Sequence, residues 1–103
     1  MPTKNSPETL AQVVMPTKDL PEDMAFFSKM GFRLDNIFPA DDPAVALMSG
    51  HGMNIRIDKN TDCPPPRINI LSDNVEGTEN IAPNGTVIKV LLKMIYVMAK
   101  DHI

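Results

Sequence analysis

Apolar and polar positions alternate in short runs along most of this chain, and one stretch near its start has helical spacing instead. Residues 10–15 (LAQVVM) form an apolar run with β-branched members. They predict a strand that Pro16 ends. Residues 19–32 (DLPEDMAFFSKMGF) predict a helix. Asp19 can cap it, and Glu22 stands three positions later as in a capping box. Pro21 falls in the first turn, where its missing N–H costs nothing, and Asp23 adds negative charge near the positive end of the helix dipole. Leu20, Met24 and Phe27 make a stripe expected to face a sheet, widened by Phe26 and Met30. Gly31 ends the helix. Residues 32–38 and 44–49 then read as strands around a loop at 39–43, and 53–58 (MNIRID) reads as a returning strand after a tight GHG turn at 50–52. The order so far is β-α-β-β-β, a module at residues 10–60.

A Pro-rich linker at 61–66 follows. Residues 67–73 predict a strand, 74–80 a polar loop, 82–85 a turn and 86–92 a strand, with no helix between those two strands. The apolar tail at 93–103 fits either strand or helix and is expected to dock or to join a subunit interface. The first nine residues are polar and form a loose arm. The chain thus reads as one α+β domain of 103 residues, with an incomplete second module at 67–103.

Composition narrows the function. A net charge of −3 lacks the basic footprint of a nucleic-acid binder, and four Phe, one Tyr and no Trp make a poor base-stacking platform. The start of the chain has no apolar run of a signal peptide, and the apolar stretch at 87–99 is too short to span a bilayer, so a cytoplasmic protein without membrane contact is expected. Cys63, the one cysteine, excludes an internal disulfide, and no His is placed by the sequence to act as its base. It reads as structural. The Asp41-Asp42 pair before Pro43 reads as turn chemistry, and His51 as an exposed turn residue.

Several stretches carry a family resemblance. QVVMPTKDLPEDMAFFSKMGFRLD resembles the opening strand, "D-L" step, helix and "G-F" strand entry of the vicinal oxygen chelate superfamily, which includes glyoxalase I, bleomycin-resistance proteins and extradiol dioxygenases. SGHGMNIRID resembles the hairpin that closes its first module, and APNGTVIKV its "G-x-x-I-E" strand. The resemblance implies a glyoxalase/bleomycin-resistance-like βαβββ module plus an incomplete second module in an open cup of mixed sheet, closed within one chain or across two. Pairing of two chains would cover apolar surface and sheet edge, so a homodimer is expected. In such proteins a cup built of two modules holds a divalent metal on a His or Gln, a Glu, a His and a final Glu.

Carried over one at a time, those positions fall on Gln12, Arg56, Arg67 and Lys89. Gln remains a family ligand. The other three are cations with donors only, which repel a metal ion. Asp58, Asp35 and Asn54 offer oxygens, but no His is placed for the job. Two unit charges ~8 Å apart repel by roughly 2 kcal/mol at an effective dielectric of ~20, so three cations around one cup call for neutralisation. Two readings stay open. Gln12, Asn54, Arg56, Arg67 and Lys89 line a pocket for a small anionic or polar ligand, bound by the guanidinium fork; or they form a cross-strand salt-bridge lattice with Asp58 that implies no function. The expected protein is a non-metal small-molecule binder with no cofactor and no catalytic residue. A metal-dependent lyase or dioxygenase and a non-catalytic interaction module are the alternatives.

Overall fold

The computed structural model describes residues 9–73 and 77–93. The expected arm, apart from residue 9, and the tail beyond Lys93 lie outside the described residues. The elements run β1 (Val13–Pro16), α1 (Leu20–Lys29), β2 (Arg33–Phe38), β3 (Val45–Gly50), β4 (Met53–Asp58), β5 (Arg67–Ser72), β6 (Glu79–Ile81) and β7 (Val87–Leu92). They form two sheets, β1-β4-β3-β2 and β5-β7-β6. The α+β class and the β-α-β-β-β order of the first module are as the sequence predicts, and among the described residues no helix separates β5 from β7. One element was not predicted: β6 takes the last two residues of the expected polar loop at 74–80 and runs one residue past it. Its residues Glu-Asn-Ile have no apolar alternation, and antiparallel pairing with β7 supplies the strand.

Local chemistry explains α1. Asp19 has extended backbone and its Oδ1 accepts the Glu22 N–H at 3.2 Å. The reciprocal half of the capping box is replaced, because the Asp19 N–H donates to the Thr17 hydroxyl at 3.2 Å. At the other end Gly31 has φ 95°, its N–H donates to the Ser28 carbonyl, and the Phe32 N–H donates to that of Phe27. This pair of bonds is a Schellman motif, which needs left-handed backbone at Gly31.

The chain returns from β3 to β4 through His51 and Gly52, both with positive φ (53° and 79°), as a two-residue type I′ turn demands. His51 is exposed, as expected of a turn residue, yet it is anchored. Its Nε2–H donates to the Met30 carbonyl at 2.8 Å, and its ring meets Phe32 edge-on at 5.2 Å. The turn is thereby stapled to the helix end.

Register sorts the first sheet into two faces. Met15, Ala46, Met48, Ile55 and Ile57 face the helix and are essentially inaccessible. Leu20 and Phe27 meet them from α1. Ile68, Ile70 and Ile88 of the second sheet join the same cluster, so one core serves both sheets. Val14, Val45, Leu47, Asn54, Arg56 and Asp58 lie on the opposite, open face. No helix among the described residues is long and apolar enough to cross a membrane.

A Cβ at Gly31 would lie 2.6 Å from His51 Nε2. Gly31→Ala is therefore expected to cost about 2 kcal/mol, from positive φ and from the steric conflict. Replacing His51 by Gly removes only the second part. In a double-mutant cycle followed by urea unfolding, Gly31→Ala with His51→Gly should cost less than the sum of the single changes; strict additivity would rule out the staple.

Candidate functional site

The open face centres on Arg56. Its Nε–H donates to Asp58 Oδ2 at 3.2 Å, and Cζ stands 5.5 Å from the Phe38 ring centroid. Register explains both contacts. Asp58 is two residues along the same strand and so on the same face. Phe38 lies two strands away, opposite Val45, while Arg56 is opposite Leu47. The guanidinium therefore reaches across β3, and Val45 beneath it is only 4% exposed although it sits on the open face. The Arg56 side chain is one-third exposed, and among the described residues its two Nη groups meet no protein acceptor.

The other expected site residues divide between the sheets. Gln12 precedes β1 and is exposed; one step back along the parallel ladder it neighbours Asn54. The Asn54 Nδ2–H donates to the Ala11 carbonyl at 3.3 Å, and Asn54 lines a shallow cavity of about 370 Å3 with Arg33, Ser49 and His51. Arg67 and Lys89 are on the second sheet. Arg67 spans β7 to reach Glu79 at 3.0 Å, in an exposed pair worth little energy. Lys89 lies between Asn69 and Glu79 in register. Among the described residues no hydrogen bond or ion pair joins Arg67 or Lys89 to the Arg56 group. Gln12, Asn54 and Arg56 are brought together; Arg67 and Lys89 are not linked to them.

The residues present do not fit a divalent metal. Arg56, Arg67 and Lys89 are donors only. His51 is committed to the Met30 carbonyl, and no group of three or more His, Cys, Asp or Glu that could hold an ion occurs among the described residues. Asp35 is exposed, and neighbouring Ser49 together with the Arg33 guanidinium, which donates to it at 3.1 Å, holds its carboxyl below the usual range. Cys63 is partly buried, its Sγ–H directed at the Val14 carbonyl at 3.5 Å.

A second polar centre escaped the sequence reading. Asp23, which the sequence marks only as a charge near the positive end of the helix dipole, is 1% exposed. It accepts the Thr17 hydroxyl on one oxygen and the Asn84 backbone N–H on the other, the latter at 3.0 Å. Asn84 Nδ2–H in turn donates to the Pro16 carbonyl at 2.8 Å, and its Oδ1 accepts the Thr86 N–H at 2.9 Å. The turn between β6 and β7 is thus clasped to the end of β1 and to α1. A cavity of about 680 Å3 opens beside the clasp, walled by Pro16, Pro65 and Pro83. The available signal was spacing: Asp23 stands three residues after Leu20 and four before Phe27, on the buried stripe.

The class that this fold defines is an open α+β arrangement of two mixed sheets built on a βαβββ module. The particular likeness is to a solved bleomycin-binding protein in complex with bleomycin, at 12% identity and a TM-score of 0.55, covering 82% of this chain and 98% of that one. At such identity the likeness is one of fold. No family model matches the chain, and no curated protein does.

Burial raises the Asp23 carboxyl above its usual range, and the Thr17 and Asn84 bonds offset this in part. A raised folded-state value means that the stabilising contribution is complete below the unfolded value, about pH 4, and is lost as pH rises through the folded one. Asp23→Asn has no such titration. The stability of the wild-type chain relative to Asp23→Asn should therefore grow as the pH is lowered from about 7 to about 4 in urea titrations. A pH-independent difference would contradict the burial of this acid.

Proposed function

We propose that the chain is a non-metal binding protein for a small molecule carrying a carboxylate or phosphate, held on the open face of the first sheet. One observation carries this reading: Arg56 is held at Nε by Asp58 and lies over the Phe38 ring, while among the described residues neither Nη group has a protein acceptor. A guanidinium fixed in this way loses little entropy when it forks an oxyanion. Val14 and Leu47 beside it supply apolar surface, and Asn54 and Gln12 supply amides. The bleomycin complex of the fold neighbour is consistent with small-molecule binding on such a scaffold.

Asp58 neutralises Arg56, so the ligand is selected by fork geometry more than by net charge. The open face is completed by a second copy of the chain. Val13 and Val14 on the β1 edge, with Leu71 and Ile81 on the second sheet, are apolar and exposed enough to be covered in a homodimer.

A thermal-shift screen of small carboxylates and inorganic phosphate tests the reading. A ligand at 100 times its dissociation constant should add about 2.7 kcal/mol. Arg56→Ala should abolish the shift, and Arg56→Lys, which keeps charge but loses the fork, should recover little of it. A shift that survives Arg56→Ala refutes the site, as does a blank screen. Mass measurement in solution should give a dimer; a monomer at high concentration would refute the paired face.

A further inference from the structure

Asn84–Gly85 is the sole Asn-Gly step in the sequence. Such a step has its own chemistry. The glycine backbone nitrogen, on losing its proton, attacks the asparagine Cγ. A new N–Cγ bond closes an imide ring, the bond from Cγ to the side-chain nitrogen breaks, and that nitrogen leaves with a proton as ammonia. Water then opens the ring at either carbonyl, giving aspartate or isoaspartate. No oxidant or reductant is needed. Glycine favours the attack because no Cβ hinders its nitrogen.

Here the attacking nitrogen and both polar atoms of the side-chain amide are engaged. The Gly85 N–H donates to the Ala82 carbonyl at 2.9 Å. Asn84 is pinned at Nδ2 by Pro16, at Oδ1 by the Thr86 N–H and at its backbone nitrogen by Asp23. Gly85 itself is held at φ 95° with Pro65 alongside. Attack by the deprotonated Gly85 nitrogen breaks its bond to Ala82, and departure of Nδ2 breaks the bond to Pro16, so the reaction works against docking of the turn on β1 and α1. The Asp23 carboxylate close by also opposes loss of a proton from the neighbouring backbone.

We propose that Asn84 is a spontaneous modification site, converted to aspartate or isoaspartate, that docking of the β6–β7 turn against β1 and α1 holds shut. Conversion is self-reinforcing. It replaces the donor facing the Pro16 carbonyl, 2.8 Å away, by an acceptor, and it sets a second carboxylate beside Asp23. Both changes oppose redocking.

The experiment ages the unaltered full chain in mildly alkaline buffer, with and without denaturing urea, and reads amide-to-acid conversion at each asparagine by peptide mass mapping. Conversion at Asn84 should be at least about tenfold slower in buffer than in urea, because only opened molecules react. Thr17→Val, which loosens the clasp without touching the dipeptide, should speed conversion in buffer. Separately, Asn84→Asp should lower the urea midpoint at about pH 7 and recover toward wild type at about pH 4, where a protonated side chain can again donate to Pro16. Equal rates in buffer and urea overturn the proposal. So does conversion in urea at another asparagine ahead of Asn84, or an Asn84→Asp chain with the wild-type midpoint at both pH values. The ageing arm needs no variant, so a failure of Asn84→Asp to fold supports the predicted damage and leaves the rate comparison intact.

Discussion

A carboxylate taken out of water must be met by donors, and this requirement organises the molecule around Asp23. Its two partners come from opposite halves of the chain: the Thr17 hydroxyl just past β1, and the Asn84 N–H in the turn before β7. Neither half can satisfy the acid alone. Apolar burial gives the two sheets a reason to associate, through Ile68, Ile70 and Ile88 beside the cluster of Met15 and Ile55. Apolar contact has little directional preference, however. The polar clasp supplies direction. It fixes the β6–β7 turn against the end of β1 and sets Thr86 beneath, with its hydroxyl 3.8 Å from the Met15 sulfur.

On the far side of the first sheet a different balance holds. The Arg56–Asp58 pair lies on a half-buried surface, where attraction between the charges and their loss of water are of similar size. Its importance is geometric. Asp58 holds the guanidinium at Nε and the Phe38 ring lies beneath it, 5.5 Å from Cζ. Ladder register makes this possible, since Val45 opposite Asp58 and Leu47 opposite Arg56 leave a low apolar floor for the arginine stem to cross.

Much of this architecture was legible in the sequence. The alternation in residues 53–58 and the His-Gly turn before it gave β4 its ends, and Asp19 and Gly31 bracketed the helix. Asp58 as a partner of Arg56 was also legible, because period-two spacing puts both on one face. Phe38 was not, since its proximity depends on strand order as well as spacing. The strand at 79–81 escaped because Glu-Asn-Ile has no pattern of its own, and with it went the Arg67–Glu79 pair. Asp23 escaped for a different reason. An acid in a first helical turn fits the dipole so well that its place on the buried stripe drew no notice. Analogy of position groups residues 67 and 89 with Arg56, but analogy cannot say which way a second sheet turns.

The short second half has a consequence for how such a chain can be rearranged. A repeat with its own helix carries its own cover, so it can be cut at a linker, duplicated or traded between proteins. Here the three-stranded sheet has no helix among the described residues and draws its core from Met15, Phe27 and their neighbours. Three short strands seldom persist without such a partner. The Pro-rich stretch at 61–66 therefore looks like a seam between interchangeable parts but joins two pieces of one core. Exchange of either piece would have to bring along the matching acid or the matching turn.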